Sequence, residues 1–352
     1  MISDIKLANF RSYKEAVFEF NKGVNIIVGP NASGKTNLLE AILVLCSGGS
    51  YRVKDIDLLS FNQPWTRIDG TLEDGVRKVT IENVNNLAKK KFNINGNNHL
   101  RLSLSKKIPV VVFEPDHLMM LHGSPDRRRE YLDNLLEQTI NGYTKVRRDY
   151  RRTLAQRNSL LKQSTHNIDN SQLFAWNVRL SELGGTIVTL RNRLLERLNT
   201  QISELYGEIS HKQTLVKLEY QADAEINNYS NNVLRLLSDN LSKDIQRGFT
   251  GNGPHRHDVS IKLKSYDASV TASRGESRTL LLALKLLELK LIEEIRDKKP
   301  LLLLDDVFSE LDGARRKALT KHLQDYQTFI TTTDADIVVQ HFIKNSTIIP
   351  LG

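Results

Sequence analysis

A glycine-rich loop near the amino terminus limits what this chain can fold into. The run Gly29-Pro30-Asn31-Ala32-Ser33-Gly34-Lys35-Thr36 has the G-x-x-x-x-G-K-[ST] spacing of a phosphate-binding P-loop. A β-rich run precedes it and a helical apolar pattern follows it. In such a unit the loop N–H groups and the positive end of the helix bind phosphate oxygens. The pattern predicts a nucleotide site in which Lys35 contacts the β- and γ-phosphates and Thr36 binds Mg²⁺.

An apolar strand far downstream supplies the acids that a P-loop works with. The run Leu301–Leu304 is followed by Asp305 and Asp306, a pattern typical of a buried parallel strand. Ligands of open α/β sheets bind at the carboxyl ends of such strands. We therefore expect Asp305 to hold Mg²⁺ together with Thr36. Asp306 is expected to orient or deprotonate the attacking water, which makes Asp306 and Lys35 the predicted catalytic residues.

Charge and cysteine content narrow the partners and the compartment. The 352 residues carry a formal net charge of +9, which favours an acidic partner such as nucleic acid. The single cysteine, Cys46, excludes a disulfide or a cysteine-based zinc site within one chain. The first residues lack the basic and apolar regions of a signal peptide, and no apolar run has the length of a membrane span. We expect a cytoplasmic protein with no membrane partner.

A basic helical region is predicted from 124 to about 210. Ser124 is a good N-cap before Pro125, and the apolar residues that follow recur at helical spacing. The polar stretch Gln163–Asn170 predicts a turn between two antiparallel helices. Four arginines of this region lie one helical turn apart and form either a solvated face or a set of phosphate contacts along DNA. They are Arg147, Arg148, Arg151 and Arg152.

Two further segments are candidates for contact with the nucleotide. Arg11 lies in a turn between strands predicted at 2–10 and 15–21, and it is either a solvated turn residue or a neighbour of the nucleotide. Ser273-Arg274-Gly275-Glu276 stands before an apolar helix predicted over Thr279–Ile295. A serine and a glycine before a helix N-terminus form a second phosphate-binding device.

The remaining patterns alternate between strand and helix. Strand-like pieces over 66–113 predict an antiparallel meander. Strands at 214–220 and 257–264 flank a helix near 225–247, and a last strand at 328–332 precedes a helix from Ala335.

The order of these motifs resembles the ABC-type ATPases that include the SMC proteins, and within them the RecF family of bacterial DNA replication and repair proteins. The block over Pro115–Asp133, with Gly123-Ser124-Pro125 and the double arginine Arg127-Arg128, is more discriminating than the P-loop. The other matching segments span nearly the whole chain and follow the order of the family. They are Asn9–Tyr13, Gly29–Thr36, Gly253–Arg256, Ser273–Glu276 and Leu303–Asp312.

The resemblance implies an α/β architecture of two lobes. One is a P-loop head of the ABC/SMC type with a mixed sheet and an antiparallel meander, and the other is mostly helical without the long coiled coil of SMC proteins. Lobe I would comprise residues 1–113 and 296–352. Lobe II would comprise 114–295, with the basic helical arm at about 124–210 and the signature loop at 273–278.

The resemblance also implies a function. ATP and Mg²⁺ would drive homodimerisation, with each nucleotide held between the P-loop of one subunit and Ser273, Arg274, Gly275 and Glu276 of the other. Asp312 would line that dimer interface. The dimer would bind duplex, gapped or junction DNA without sequence preference. With RecO and RecR it would help to load the RecA recombinase in recombinational repair, replication and the SOS response.

Two departures from the ABC pattern bear on hydrolysis. Asp306 stands where ABC ATPases usually have glutamate, and Glu276 replaces the signature glutamine. Because a shorter acid reaches water less well, we expect a weak, DNA-stimulated ATPase. The alternative is an ATP-gated scaffold in which hydrolysis is incidental. A transporter subunit and a small-molecule kinase are disfavoured by the basic helical region, the serine loop and the Asp305-Asp306 pair.

Overall fold

The computed structural model describes residues 1–163, 170–334, 338 and 346–352. These residues form two compact units, the first made of 1–117 and 284–352 and the second of 118–283. The lobes predicted at 1–113 with 296–352 and at 114–295 stay a prediction, and the two structural units have different bounds. Most of the turn predicted over 163–170, and most of the helix predicted from Ala335, lie outside the described residues.

An antiparallel sheet of six strands forms one layer of the first unit. Its strands are β1 (Ile2–Phe10), β2 (Tyr13–Glu19), β4 (Trp65–Leu72), β5 (Gly75–Val84), β6 (Leu87–Ile94) and β7 (Asn97–His99). They lie in the order β2-β1-β4-β5-β6-β7. Burial alternates along β4 and β5, which is typical of strands with one face on the core. The predicted meander is therefore present, and the two N-terminal strands extend it.

A five-stranded parallel sheet carries the candidate site. Its strands are β3 (Val24–Val28), β8 (Val110–Phe113), β12 (Leu301–Asp305), β13 (Thr328–Thr332) and β14 (Ser346–Pro350). They lie in the order β14-β3-β13-β12-β8, and all neighbours pair in parallel. Only β13 separates the strand that enters the P-loop from the strand that ends in Asp305. The sequence did not predict the edge strand β14.

The helix after the P-loop, α1 (Lys35–Ser47), packs between the two sheets. It contacts β1, β4 and β5 of the antiparallel sheet and β8, β12 and β13 of the parallel sheet. Its residues from Leu38 to Cys46 are all buried, as expected of a helix that is apolar on nearly every side. The close approach depends on Gly70, where a Cβ would lie 2.3 Å from Cδ2 of Leu45. The helix therefore fixes the P-loop against both layers.

The second unit is mainly helical. Its helices are α2 (Met119–His122), α3 (Pro125–Thr139), α4 (Tyr143–Gln163), α5 (Asn170–Asn199), α6 (Ile202–Ser210), α7 (Tyr229–Asp239), α8 (Leu241–Arg247) and α9 (Ala268–Thr271). A small antiparallel sheet joins them, formed by β9 (Val216–Gln221), β10 (Asp258–Leu263) and β11 (Tyr266–Asp267) in the order β11-β10-β9. The single helix predicted near 225–247 is wrong in detail, because Asn240 ends α7 and begins α8.

One of the three remaining helices runs from the second unit into the first, and the other two belong to the first unit. Helix α10 (Arg274–Arg296) begins in the second unit and ends in the first, and it starts five residues before the predicted Thr279. Arg274, Gly275 and Glu276 therefore form its first turn, and Ser273 directly precedes it. Two short helices follow β12, α11 (Val307–Glu310) and α12 (Gly313–Leu323). Among the described residues, none of the helices has the length and apolar character that a membrane crossing needs.

Candidate nucleotide-binding site

The glycines of the P-loop are required by their surroundings. Gly34 has φ 97° and precedes α1, and φ values in this range favour glycine. A Cβ on Gly34 would lie 2.8 Å from the hydroxyl of Tyr13. A Cβ on Gly29 would lie 2.5 Å from the carbonyl oxygen of Leu351. The loop therefore has the backbone freedom and the close packing that a phosphate cradle needs.

Lys35 lies along the inside of this loop. Its Nζ donates hydrogen bonds to the carbonyl oxygens of Gly29 at 2.6 Å and Pro30 at 2.8 Å. The residue is 9% exposed. The ammonium group is thus held in the concave side of the P-loop, where a phosphate group would meet it.

Thr36 and Asp305 meet as the sequence predicted. The hydroxyl of Thr36 lies 3.0 Å from both carboxylate oxygens of Asp305. Thr331 of the intervening strand β13 donates a further hydrogen bond to Asp305 Oδ1 at 2.7 Å. Parallel pairing of β12, β13 and β3 brings these three side chains to one edge of the sheet.

The same pair of residues fits a magnesium ion. A hydroxyl and a carboxylate are hard oxygen ligands of the kind Mg²⁺ prefers, and Mg²⁺ is commonly bound through one or two such groups plus phosphates and waters. Within the described part of the chain, no cluster of three or more His, Cys, Asp or Glu side chains could hold a metal by itself. Thr36 and Asp305 therefore fit an ion that a nucleotide shares, rather than a metal held by protein alone.

Sequence reasoning missed Arg52, which lies beside Asp305. Its Nη1 is 3.2 Å from Asp305 Oδ2 and 3.3 Å from Glu114 Oε1. Burial raises the pKa of the Glu114 carboxyl, while a hydrogen bond from Tyr51 and the charge of Arg52 oppose that rise. Because the chain turns back after Gly48, which has φ 90°, no spacing in the sequence marked Arg52 as a neighbour of the P-loop.

Arg11 contacts the helix that follows the P-loop, so it is not merely a solvated turn residue. Its Nε donates to Glu40 Oε2 on α1 at 2.8 Å, and Ser50 donates to the other oxygen of Glu40 at 2.6 Å. Arg11 lines a groove of about 1070 Å³ together with Ser12 and Asn37. Because Asn37 lies in the first turn of α1, this groove opens beside the phosphate cradle.

The remaining predicted residues of the first unit lie after β12. Asp306 has φ 53°, its N–H donates to the hydroxyl of Thr331 at 3.0 Å, and Ser309 donates to its carboxylate at 3.0 Å. Asp312 caps α12, accepting a hydrogen bond from the N–H of Arg315 at 3.0 Å and pairing with the Arg315 guanidinium. Asp306 is therefore held next to Asp305, whereas Asp312 is an exposed cap.

The signature residues lie in the second unit and form a capping box at the start of α10. The N–H and hydroxyl of Ser273 donate to Glu276 Oε2 at 2.9 and 2.8 Å, and the N–H of Glu276 is 3.3 Å from the Ser273 hydroxyl. These hydrogen bonds, with smaller contributions from the charges of Lys264 and Lys212, lower the pKa of Glu276. Ser273, Arg274 and Glu276 are exposed, and Gly275 is half-buried.

Arg147 does not belong to an exposed arginine face, so the prediction is wrong for this residue. Its guanidinium lies within 3.0 Å of carboxylates of Glu130, Asp133 and Glu137, all on α3, and the residue is 8% exposed. These acids on α3 face Arg147 on α4. The helical spacing of residues within α4 cannot show that another helix supplies acidic partners. Arg151 and Arg152 are exposed, and Arg148 is half-buried.

The chain is similar to a known family over nearly its whole length. The family model described as the RecF/RecN/SMC N terminal domain matches residues 1–348. A protein of Limosilactobacillus fermentum called DNA replication and repair protein RecF is 33% identical over 359 residues, covering 99% of this chain and 96% of its own length. Its namesake in Heliobacterium modesticaldum is 36% identical over 344 residues, covering 94% and 92%.

Two solved structures resemble this chain to different degrees. A structure described as the recombination mediator protein RecF-ATPrS in the RecFOR pathway has a TM-score of 0.88 and 33% identity, and the match covers 100% of this chain and 96% of that one. An SMC head bound to the C-winged helix domain of ScpA has a TM-score of 0.53 at 17% identity, with coverage of 99% and 93%. The second likeness concerns the fold alone.

Proposed function

This chain belongs to the RecF family of DNA replication and repair proteins, within the ATP-binding ATPases of the RecF/RecN/SMC type, and from that premise we propose that it is an ATP-driven dimeric clamp on DNA. One observation carries the proposal, namely the contact between Thr36 and Asp305. The Thr36 hydroxyl lies 3.0 Å from both carboxylate oxygens of Asp305. This contact unites the P-loop helix with the acidic strand, as magnesium-dependent use of a nucleoside triphosphate requires.

ATP is the proposed ligand. The amides of Gly29–Thr36 and the ammonium of Lys35 bind its phosphates, and Thr36 and Asp305 hold Mg²⁺. When bound, the metal neutralises charge on the phosphate oxygens. The groove lined by Arg11, Ser12 and Asn37 has room for the nucleoside. A solved relative described as RecF-ATP, 34% identical with a TM-score of 0.85, supports the choice of nucleotide.

Asp306 is the proposed catalytic carboxylate of slow hydrolysis. Ser309 fixes one of its oxygens by a hydrogen bond of 3.0 Å, so the side chain is held in one orientation beside Asp305. Aspartate is one methylene shorter than the glutamate usual in ABC ATPases, which weakens its hold on the attacking water. Hydrolysis then acts as a reset, stimulated when DNA stabilises the dimer.

The signature residues are proposed to complete the site of a second subunit. Ser273, Arg274 and Glu276 are exposed at the start of α10, and the positive end of a helix attracts phosphate. The charges of Lys264 and Lys212 act on the same turn. Asp312, exposed at the cap of α12, would line the same interface.

DNA is the proposed macromolecular partner. The net charge of +9 and the exposed side chains of Arg151 and Arg152 favour contact with phosphates that does not depend on sequence. Arg148, half-buried, lies beside them, whereas Arg147 is left out of this surface. The proposal also includes RecO and RecR as partners, loading of the RecA recombinase, and a cytoplasmic location. The RecFOR pathway named for the solved relative supports the choice of partners.

The alternative is an ATP-gated scaffold in which hydrolysis is incidental. Asp306→Asn separates the two, because it removes the carboxylate and keeps the shape. Phosphate release and DNA retention would be measured together on gapped duplex DNA with ATP. The clamp predicts that hydrolysis falls at least about tenfold and that the protein stays trapped on DNA. If hydrolysis stops while DNA loading and release continue unchanged, the scaffold is correct.

A further inference from the structure

The segment after α1 brings a cation onto two acids of the candidate site. Arg52 contacts Asp305 at 3.2 Å and Glu114 at 3.3 Å. The acidic side chains are 13% and 8% exposed, whereas the Arg52 side chain is 41% exposed. A cation that faces solvent therefore neutralises two carboxylates that are largely shielded from water.

Both oxygens of Asp305 have hydrogen-bond donors nearby, and the single hydroxyl proton of Thr36 is shared between them. Thr331 donates to Oδ1, Arg52 donates to Oδ2, and the Thr36 hydroxyl lies between the two oxygens at 3.0 Å from each. The two threonines are neutral donors on α1 and β13. Arg52 is the charged donor of this set, and it stands between the end of α1 and the 3-10 turn Asp55–Leu58.

A magnesium ion held by Thr36 and Asp305 would place a second cation, a divalent one, at the same carboxylate. Like charges repel, and they repel more strongly where water is partly excluded. Arg52 is the group that is free to leave, because its side chain is half-exposed. Its segment is tied locally by the Ser50 hydroxyl, which accepts from the N–H groups of Arg52 at 3.0 Å and Val53 at 3.3 Å.

We propose that Arg52 is the resident counter-ion of Asp305 and Glu114, and that a magnesium nucleotide displaces it. This inference rests on the proposed ATP site. Arg52 acts as a positioning residue that keeps divalent cations off the carboxylates until a nucleotide brings its own. Its release changes the contacts of residues 50–53, and Ser50 passes the change to Glu40 and Arg11 through hydrogen bonds of 2.6 and 2.8 Å.

Manganese binding to the whole chain without nucleotide tests the counter-ion role. Mn²⁺ would be titrated and the free ion followed by electron paramagnetic resonance. Arg52→Gln should bind Mn²⁺ about tenfold more tightly than the wild type, because one like charge is removed. Arg52→Lys keeps the charge and should resemble the wild type. Arg67→Gln is the matched control, since Arg67 is half-exposed and paired with Asp69 on β4. Equal or weaker binding by Arg52→Gln would overturn the proposal.

Hydrogen exchange tests the displacement itself. The amides of Arg52 and Val53, which donate to Ser50, should exchange several-fold faster with Mg²⁺ and a slowly hydrolysed ATP analogue than with Mg²⁺ alone or with the analogue in EDTA. Identical exchange in all three conditions, with the analogue bound, would contradict displacement. If the analogue does not bind at all, the proposed function is wrong, and the manganese titration alone decides the role of Arg52.

Discussion

Arginines of the two units neutralise carboxylates in opposite ways. In the second unit Arg157 has no exposed side-chain surface, and it pairs with the equally enclosed Asp244 at 2.8 Å. In the first unit the side chain of Arg52 is 41% exposed, and it contacts both Asp305 and Glu114. Removing an enclosed partner leaves a buried charge with no compensation, whereas a half-exposed partner can be replaced by water or another cation. Enclosure thus separates arginines that hold the fold from an arginine that regulates what a site binds.

The largest expected effect is the loss of an enclosed pair. Arg157→Met should lower the free energy of unfolding by about 3–5 kcal/mol, because Asp244 is left buried and unpaired. Urea unfolding would be followed by Trp176 fluorescence in a Trp65→Phe background. Trp176 is next to Asn177, which accepts from Arg157 Nε at 2.7 Å. Arg152→Met, an exposed change on the same helix, should cost less than about 0.5 kcal/mol. Equal losses of stability in the two variants would show that enclosure does not decide how much an arginine contributes to the fold.

A smaller effect is expected from pH on the buried polar groups of the second unit. His255 lies 2.7 Å from the Tyr150 hydroxyl and 3.1 Å from the Thr250 carbonyl oxygen. A neutral ring satisfies both, with Nε2–H donating to Thr250 and Nδ1 accepting from Tyr150. Burial lowers the pKa of His255 to about 4.

The unfolded chain, in which histidine has its ordinary pKa near 6.5, therefore takes up this proton first as the pH falls. Stability attributable to His255 is present above pH 6.5 and is lost towards pH 4, by at most about 3 kcal/mol. The free energy of unfolding at pH 7 and pH 4.5 should differ less in His255→Gln than in the wild type. An unchanged pH dependence would show that His255 is not the group responsible.

The smallest expected effect belongs to Arg52. Arg52→Gln should change the free energy of unfolding by less than about 1 kcal/mol, as for other half-exposed ion pairs, since Asp305 keeps its hydrogen bonds from Thr36 and Thr331. Urea unfolding followed by Trp65 fluorescence in a Trp176→Phe background measures this. A loss as large as that of Arg157→Met would place Arg52 among the arginines that hold the fold.

The sequence was most informative where a local motif has one possible geometry. The P-loop spacing and the leucine strand ending in Asp305 predicted their meeting, because the carboxyl ends of parallel strands share one edge of a sheet. Strand positions such as Val110–Phe113 and Thr328–Thr332 followed from runs of β-branched and apolar residues.

The sequence was least informative where a side chain meets a distant segment. Arg147 looked like part of an exposed face because its acidic partners are on another helix, α3. The sequence did not predict that Arg52 lies beside Asp305, because the chain must reverse at Gly48 to bring the two together. Edge strand β14 is short, and its pairing with β3 depends on residues more than three hundred positions away.

Sedimentation tests most directly whether ATP drives a dimer that the signature residues complete in trans. The wild type would be compared with Lys35→Met and Ser273→Arg, with ATP and with or without gapped duplex DNA. We expect ATP to convert monomer to dimer in the wild type alone, and DNA to sediment with the dimer. A wild type that stays monomeric with ATP and DNA together would contradict the trans role of Ser273 and leave a P-loop ATPase with a basic second unit.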